Sequence, residues 1–329
     1  MNSVLDLQNL IKGFELSCQT EGKSPKTIEW YTCFLRRFLQ FLQLNIHPTN
    51  VNEIDKNHIR AFILYLQQQA KTPHTKKPLS SSTVQGYIRT LKVFFSWLLR
   101  EEYIESNPMN RIPVPRAPIK VINTFNNEHI NKLATLCHIS NGTGYRNLTI
   151  ILLLLDSGIR VNELVNIDIS DLDLTEGYIK IRKAKGNKER LIPVGSIVQK
   201  SLWKYINQYR PQPLTRKVTM LFLSEHGLPL TRSGVQQMLR RYGKIAGVTE
   251  VRCSPHTFRH TFAKCYLLNG GDIFSLQKIL GHSSLASVRL YLNLFAADLK
   301  KQHQQFSPVD NLTKIRSLHA HVRSIQHTL

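Results

Sequence analysis

The stretch "SPHTFRH", residues 254–260, sets His256 and Arg259 three positions apart at the start of a predicted helix. That spacing puts both side chains on one helical face, and no acidic residue stands within the stretch. Two donors without a counter-charge of their own fit an anion supplied from outside, and a phosphate diester has the charge and the acceptor oxygens to fill that place. His260 lies four residues beyond His256, a spacing that also admits a metal pair. No third ligand at supporting spacing and no H-E-x-x-H glutamate accompanies it, so no metal is expected.

Four other segments between 156 and 291 carry groups that such a site needs. In "DSGIRVNEL" (156–164) an apolar helix ends at Ser157-Gly158, and a new one starts at Arg160. An arginine at a helix N-terminus has the fork geometry and the local dipole to grip a phosphate; a salt bridge to Glu163 is the alternative. Lys185 sits on a glycine turn among Lys183, Lys188 and Arg190. There it can reach a backbone phosphate and, with a lowered pKa, give a proton to a leaving alkoxide, or it is a solvated basic turn. His282 in "LGHSSL" follows a glycine, and Tyr291 lies nine residues later in the apolar "SVRLYLNL". Taken singly, that histidine is uninformative and that tyrosine reads as a core residue.

These groups must be carried by something. Residues 1–105 read as helices: Ser24 as N-cap and Pro25 at the first helical position open one, with Trp30, Phe34 and Phe38 as its apolar stripe and Arg36 and Arg37 turned away. A second helix is predicted over 57–69 and a third over 80–103, the latter burying Tyr87, Leu91, Phe94, Phe95 and Leu98. The stretch "NPMNRIPVPRAPIK" (107–120) has four prolines and reads as an extended linker. Beyond it, "LTIILLLL" (148–155) is a buried helix, and 177–195 is a hairpin that alternates Ile179 and Ile181 with Lys180 and Arg182 and returns through Arg190-Leu191-Ile192. The predicted domains are therefore 1–106, a linker over 107–120, 121–305, and a polar basic tail over 306–329.

Charge narrows the partner. The 329 residues hold 44 Lys+Arg against 22 Asp+Glu, formally +22. The excess is spread, with 16 basic and 9 acidic residues in 1–120 and 28 and 13 in 121–329, so both domains are expected to face a polyanion. Five cysteines, odd in number, widely spaced and without a C-x-x-C, point to reduced thiols in the cytoplasm. The N-terminus lacks a secretion signal, and the longest apolar run falls well short of the about 20 residues a membrane span needs.

The order Arg, Lys, His-x-x-Arg, His, Tyr resembles the signature of the tyrosine recombinases, the phage-integrase family. "SGIRVNEL" is similar to the family's T/S-G-x-R-x-x-E-L, "AKGNKERLIPV" to its G-K-G-x-K-x-R hairpin, "PHTFRHTFA" to H-x-L-R-H-x-F-A, and "LGHSSLASVRLYLN" to L-G-H-x-x-x-x-T-x-x-Y. The resemblance spans residues 10–300, including a helical first domain similar to the family's SAM-like core-binding domain. Ala184, Phe258 and Ser287-Val288 depart from the pattern without removing a reactive group.

The resemblance implies a mainly α fold with a small β-sheet, a helical core-binding domain joined to a mixed α/β catalytic domain, clamped on double-stranded DNA. It implies Tyr291 as nucleophile, giving a 3′-phosphotyrosyl link and a free 5′-hydroxyl, with no ATP, cofactor or metal. Arg160, His256 and Arg259 would face the scissile phosphate, with His256 also assisting proton movement at the tyrosine. Lys185 would protonate the departing oxygen, and His282 would donate a further hydrogen bond. Four protomers would synapse two sites, with the tail docking onto a neighbour and an accessory protein as an optional partner. A type IB topoisomerase, relaxing DNA without a second site, and a non-catalytic basic DNA-binding protein are the rivals; the six reactive residues argue against the second. The charge and the basic tail favour a mobile-element role over dimer resolution of the Xer type.

Overall fold

The computed structural model describes residues 5–73, 75–115, 123–182, 189–281, 303 and 307–309. The chain divides into two compact units, Met1–Lys120 and Val121–Leu329. As the resemblance implies, the architecture is mainly helical with one small sheet.

The first unit is built on helices α1 (Leu7–Thr20), α2 (Pro25–Leu44), α3 (Lys56–Gln68) and α4 (Ser81–Arg100). Their starts are written locally. Ser24 and Ser80 each accept a backbone N–H three residues on, and Asp55 accepts from Asn57 and His58, satisfying donors that a helix N-terminus leaves without an intrahelical partner. All five residues expected to be buried on α4 are buried, and Trp97 joins them.

The stripe on α2 needs a correction. Phe38 is fully buried, Phe34 only partly so, and Trp30 is 42% exposed. Each four-residue step advances about 40° past a full turn of the helix, so the stripe rotates out of the core over two steps. Arg37 is not turned wholly away either: its guanidinium donates to the Tyr87 hydroxyl (3.2 Å) and to the Lys71 carbonyl (3.1 Å). In the proline-rich stretch, Met109 and Ile112 are buried in this first core.

In the second unit, α5 (Asn127–Thr135) and the apolar α6 (Gly142–Ser157) precede the short α7 (Val161–Val165). An antiparallel sheet follows: β1 (Leu172–Asp173), β2 (Tyr178–Ile181) and β3 (Arg190–Pro193), in that order. Ile179 pairs with Ile192 and Ile181 with Arg190. Ile179, Ile181 and Ile192 are buried while Lys180 and Leu191 are exposed, the period-two pattern of a half-covered sheet. Helices α8 (Ser196–Lys204), α9 (Arg232–Ile245), α10 (Pro255–Leu268) and α11 (Ile273–Leu280) complete the unit. No described helix is long and apolar enough to cross a membrane.

Candidate active site

Three local features of the chain set the places of Arg160, His256 and Arg259. The apolar α6 stops at Gly158, whose backbone is left-handed (φ 59°). A Cβ there would stand 2.5 Å from the Phe262 ring and 2.9 Å from Leu280, so glycine is required both by conformation and by space. Two residues later Arg160 occupies the N-cap of α7. The second is Ser254-Pro255, which starts α10 as the sequence predicts, with the Ser254 hydroxyl accepting from the Thr257 amide (3.3 Å). The third is Gly281, left-handed at the C-terminus of α11 (φ 63°).

His256 and Arg259 share a helix but not an environment. Arg259 is buried, 5% exposed, and donates to the Gly158 carbonyl (2.7 Å) and the Leu280 carbonyl (2.7 Å). His256 is exposed. Partial burial of its ring, then the charges of Arg259, Arg232, Arg160 and Arg252, hold its pKa below the ordinary histidine value. Each of these charges repels a proton from the imidazole. His260, behind it, is lowered for the same reasons, burial first and then His256 and Arg259. His256 is therefore neutral at pH 7 and able to accept a proton.

Arg160 makes the ion pair that its sequence context offered as the alternative. The salt bridge is present: Nη1 donates to Glu163 Oε1 at 2.9 Å, and the Arg160 amide donates to Oε2 at 3.0 Å. Nη2 donates to the Gly281 carbonyl (3.1 Å), the residue immediately before His282. A third guanidinium completes the cluster. Arg190 on β3 grips Glu163 bidentately (3.0 and 2.7 Å) and donates from Nε to the Ile279 carbonyl (3.0 Å).

Thus three successive carbonyls at the end of α11, those of Ile279, Leu280 and Gly281, accept from Arg190, Arg259 and Arg160. The partial negative charge of a helix C-terminus suits such donors. The carboxylate of Glu163, whose side chain is 4% exposed, is bonded to the guanidiniums of Arg160 and Arg190. Burial would raise its pKa; the hydrogen bonds and charge of Arg190, followed by those of Arg160, outweigh this and hold it below the ordinary carboxylate range. Arg160, Arg190 and Glu163 together carry two positive charges and one negative.

Arg190 was not among the predicted site residues, although its signal is present in the sequence. It lies two positions from the buried Ile192 and so on the core face of an alternating strand, where an arginine needs a buried partner. On the other side of the hairpin, Arg182 is bonded through Nε to the buried Asp171 and through Nη2 to the Ser170 hydroxyl (2.9 Å). Both strands of the hairpin are therefore tied to buried carboxylates at the ends nearest its turn. Lys185, His282 and Tyr291, together with the tail apart from 307–309, lie outside the described residues.

Residues 123–297 match the phage integrase family, and residues 10–105 match the N-terminal SAM-like domain of phage integrases. The tyrosine recombinase XerD of Staphylococcus haemolyticus (strain JCSC1435) is 33% identical over 304 residues, covering 92% of this chain and 99% of that protein. Among solved structures, the XerH site-specific recombinase bound to a palindromic difH substrate in a post-cleavage complex is 22% identical (TM-score 0.69), covering 92% of this chain and 90% of its own. The Tn1549 transposon integrase in complex with transposon right end DNA is 18% identical (TM-score 0.70), covering 92% and 99%. At those identities the two structures show a shared fold. The sequence relationship to XerD and the two family matches carry the assignment: this chain belongs to the phage integrase family and is a tyrosine recombinase, an enzyme of site-specific recombination that cuts and rejoins DNA strands.

Proposed function

We propose that this chain exchanges strands between two copies of a double-stranded DNA site, with Tyr291 attacking the scissile phosphate that Arg160, His256 and Arg259 hold. The observation that supports the reading is that Arg160 and Arg259 both donate to the end of α11, while the charge of each lowers the pKa of the His256 imidazole. Guanidiniums on the non-bridging oxygens offset the charge that builds up at phosphorus. His256, held neutral, takes the tyrosine proton, and Lys185 gives one to the departing 5′-oxygen. His282 adds a hydrogen bond from the residue after Gly281. The phosphotyrosyl link stores the energy of the diester, so rejoining needs neither ATP nor a metal.

Four protomers assemble on two sites, each contributing a helical unit spanning residues 1–106 and a catalytic unit spanning 121–305, with the 306–329 segment docking onto a neighbour. Integration, excision and dimer resolution all use this chemistry; the basic charge and tail favour the mobile-element setting. The five unpaired cysteines, with Cys33 and Cys265 at the surface, fit work in the reducing cytoplasm.

The test is a nicked duplex carrying a recombination site from DNA flanking the gene. Its short 5′-hydroxyl fragment diffuses away after cleavage, so a covalent intermediate accumulates. The expected result is a protein–DNA adduct that resists denaturant and is lost in Tyr291→Phe. Tight, salt-sensitive binding without an adduct would overturn the catalytic reading. Rejoining without a matched second duplex would place the reaction with the topoisomerases.

A further inference from the structure

Two of the three guanidiniums on the end of α11, Arg160 and Arg259, already have parts in the proposed phosphate site; Arg190 has none. Yet Arg190 makes the closest pairing with Glu163, two bonds at 3.0 and 2.7 Å, against one side-chain bond from Arg160 at 2.9 Å. Its own side chain is 11% exposed and Glu163's is 4% exposed, so water screens this pair little.

The charge count follows directly. Arg160, Glu163 and Arg190 together carry two positive charges and one negative. Without Arg190, the carboxylate would be set against Arg160 alone, and their sum would be zero where a phosphate has to be held. The third bond of Arg190, to the Ile279 carbonyl, fixes the helix end three residues before His282.

We propose that Arg190 is a positioning residue: it takes up the charge of Glu163 so that Arg160 meets the phosphate as a net cation, and it anchors the end of α11 ahead of His282. The proposal rests on the phosphate-binding role assigned above to Arg160. It accounts for a charged residue, its side chain only 11% exposed, on the apolar face of a strand, a place where an uncompensated arginine is costly.

The test uses the full-length protein and the nicked duplex, measuring the single-turnover rate of adduct formation at saturating protein, with duplex affinity and melting temperature in parallel. Arg190→Gln is expected to slow adduct formation about 100-fold, the scale seen when one transition-state donor is lost, while affinity changes by no more than about threefold. The decisive variant is Arg190→Gln with Glu163→Gln, which removes the carboxylate left behind. It is expected to react at least tenfold faster than Arg190→Gln, because Arg160 regains its charge. A merely structural role predicts the reverse, since the double variant loses every bond of the pair.

A double variant no faster than the single one overturns the proposal. If Arg190→Gln does not fold, Arg190→Lys decides, since it keeps the charge but not the fork. A rate within tenfold of the parent then sustains the charge role, and a larger loss in a protein with the parent's melting temperature overturns it. Failure of the function reading looks different, because the parent itself would then form no Tyr291-dependent adduct.

Discussion

In the first unit the largest fully buried side chains among the described residues include Phe38, Phe62, Phe94 and Phe95, and the buried polar residues described there are the uncharged Thr32, Thr90 and Asn107. The second unit buries rings too, but with them Glu163, Asp171 and Arg259. The phenylalanines pack at offset and edge-on angles, Phe38 against Phe62 at 5.0 Å and Phe94 against Phe95 at 5.7 Å, geometry favourable to aromatic pairs. Nothing in such a core depends on which way a charge points. Around Arg259 the interior holds guanidiniums at fixed places by spending hydrogen-bonding capacity of its own backbone. One unit is built mainly to be stable, while the other gives up part of its apolar interior to hold cations in register. The proposed roles follow the same division.

The comparison can be broken most sharply at Arg259. Arg259→Ala removes a phosphate donor and leaves the Gly158 and Leu280 carbonyls without it. Adduct formation is expected to fall about 10²- to 10³-fold, with a loss of stability of about 1–3 kcal/mol for each carbonyl that finds no new partner. Single-turnover cleavage and chemical denaturation measure the two effects. Loss of neither would mean that the buried guanidinium serves only as filler.

Phe38→Ala probes the other unit. A cavity in that core is expected to cost about 3–5 kcal/mol, read as a lower denaturation midpoint. The rate of adduct formation at saturating DNA, at a temperature where the variant is folded, should stay within about threefold of the parent. A large rate loss in the folded variant would erase the distinction between the units.

The smallest effect is in pH, and it should arise in the second unit. His256 and His260 both have folded-state pKa values lowered from 6.5. The unfolded chain therefore binds more protons than the native one between the lowered values and about 6.5. Their contribution to stability is complete above the unfolded value and is lost as pH falls through it toward the folded values. The melting temperature should rise from pH 5 to pH 7, and His256→Gln with His260→Gln should flatten that slope. An unchanged slope would assign the pH dependence to other groups.

Much of the fold is legible in the sequence because the relevant signals are local. Ser24-Pro25, Ser80 and Ser254-Pro255 start helices where they are expected to, and Ile179, Ile181 and Ile192 mark the covered face of the hairpin. What escapes is set by distance along the chain. Arg259 looks from its spacing like a surface partner of His256, yet it is buried against a carbonyl 101 residues earlier. Alternation puts Arg190 on the core face of its strand, but its partner Glu163 lies 27 residues earlier and is not legible from the hairpin. Strand β1, two residues long, is too short to show a period, and it is a strand only because β2 pairs with it. The rotation of Trp30 out of the core shows the limit of four-residue spacing as a guide to burial.

The two ties nearest the hairpin turn, Arg182 on Asp171 and Arg190 on Glu163, have a consequence for how such a chain can vary in length. With both flanks of the 183–188 segment fixed by the body of the unit, residues can be added to it or taken from it on either side of Lys185 without moving either anchor. Helix α11 has no such latitude. Inserting one residue would turn its end by about 100° and carry three carbonyls away from three arginines at once. Natural relatives and engineered variants should therefore vary more in the length of the first segment, with Lys185 kept, than in the length of the second.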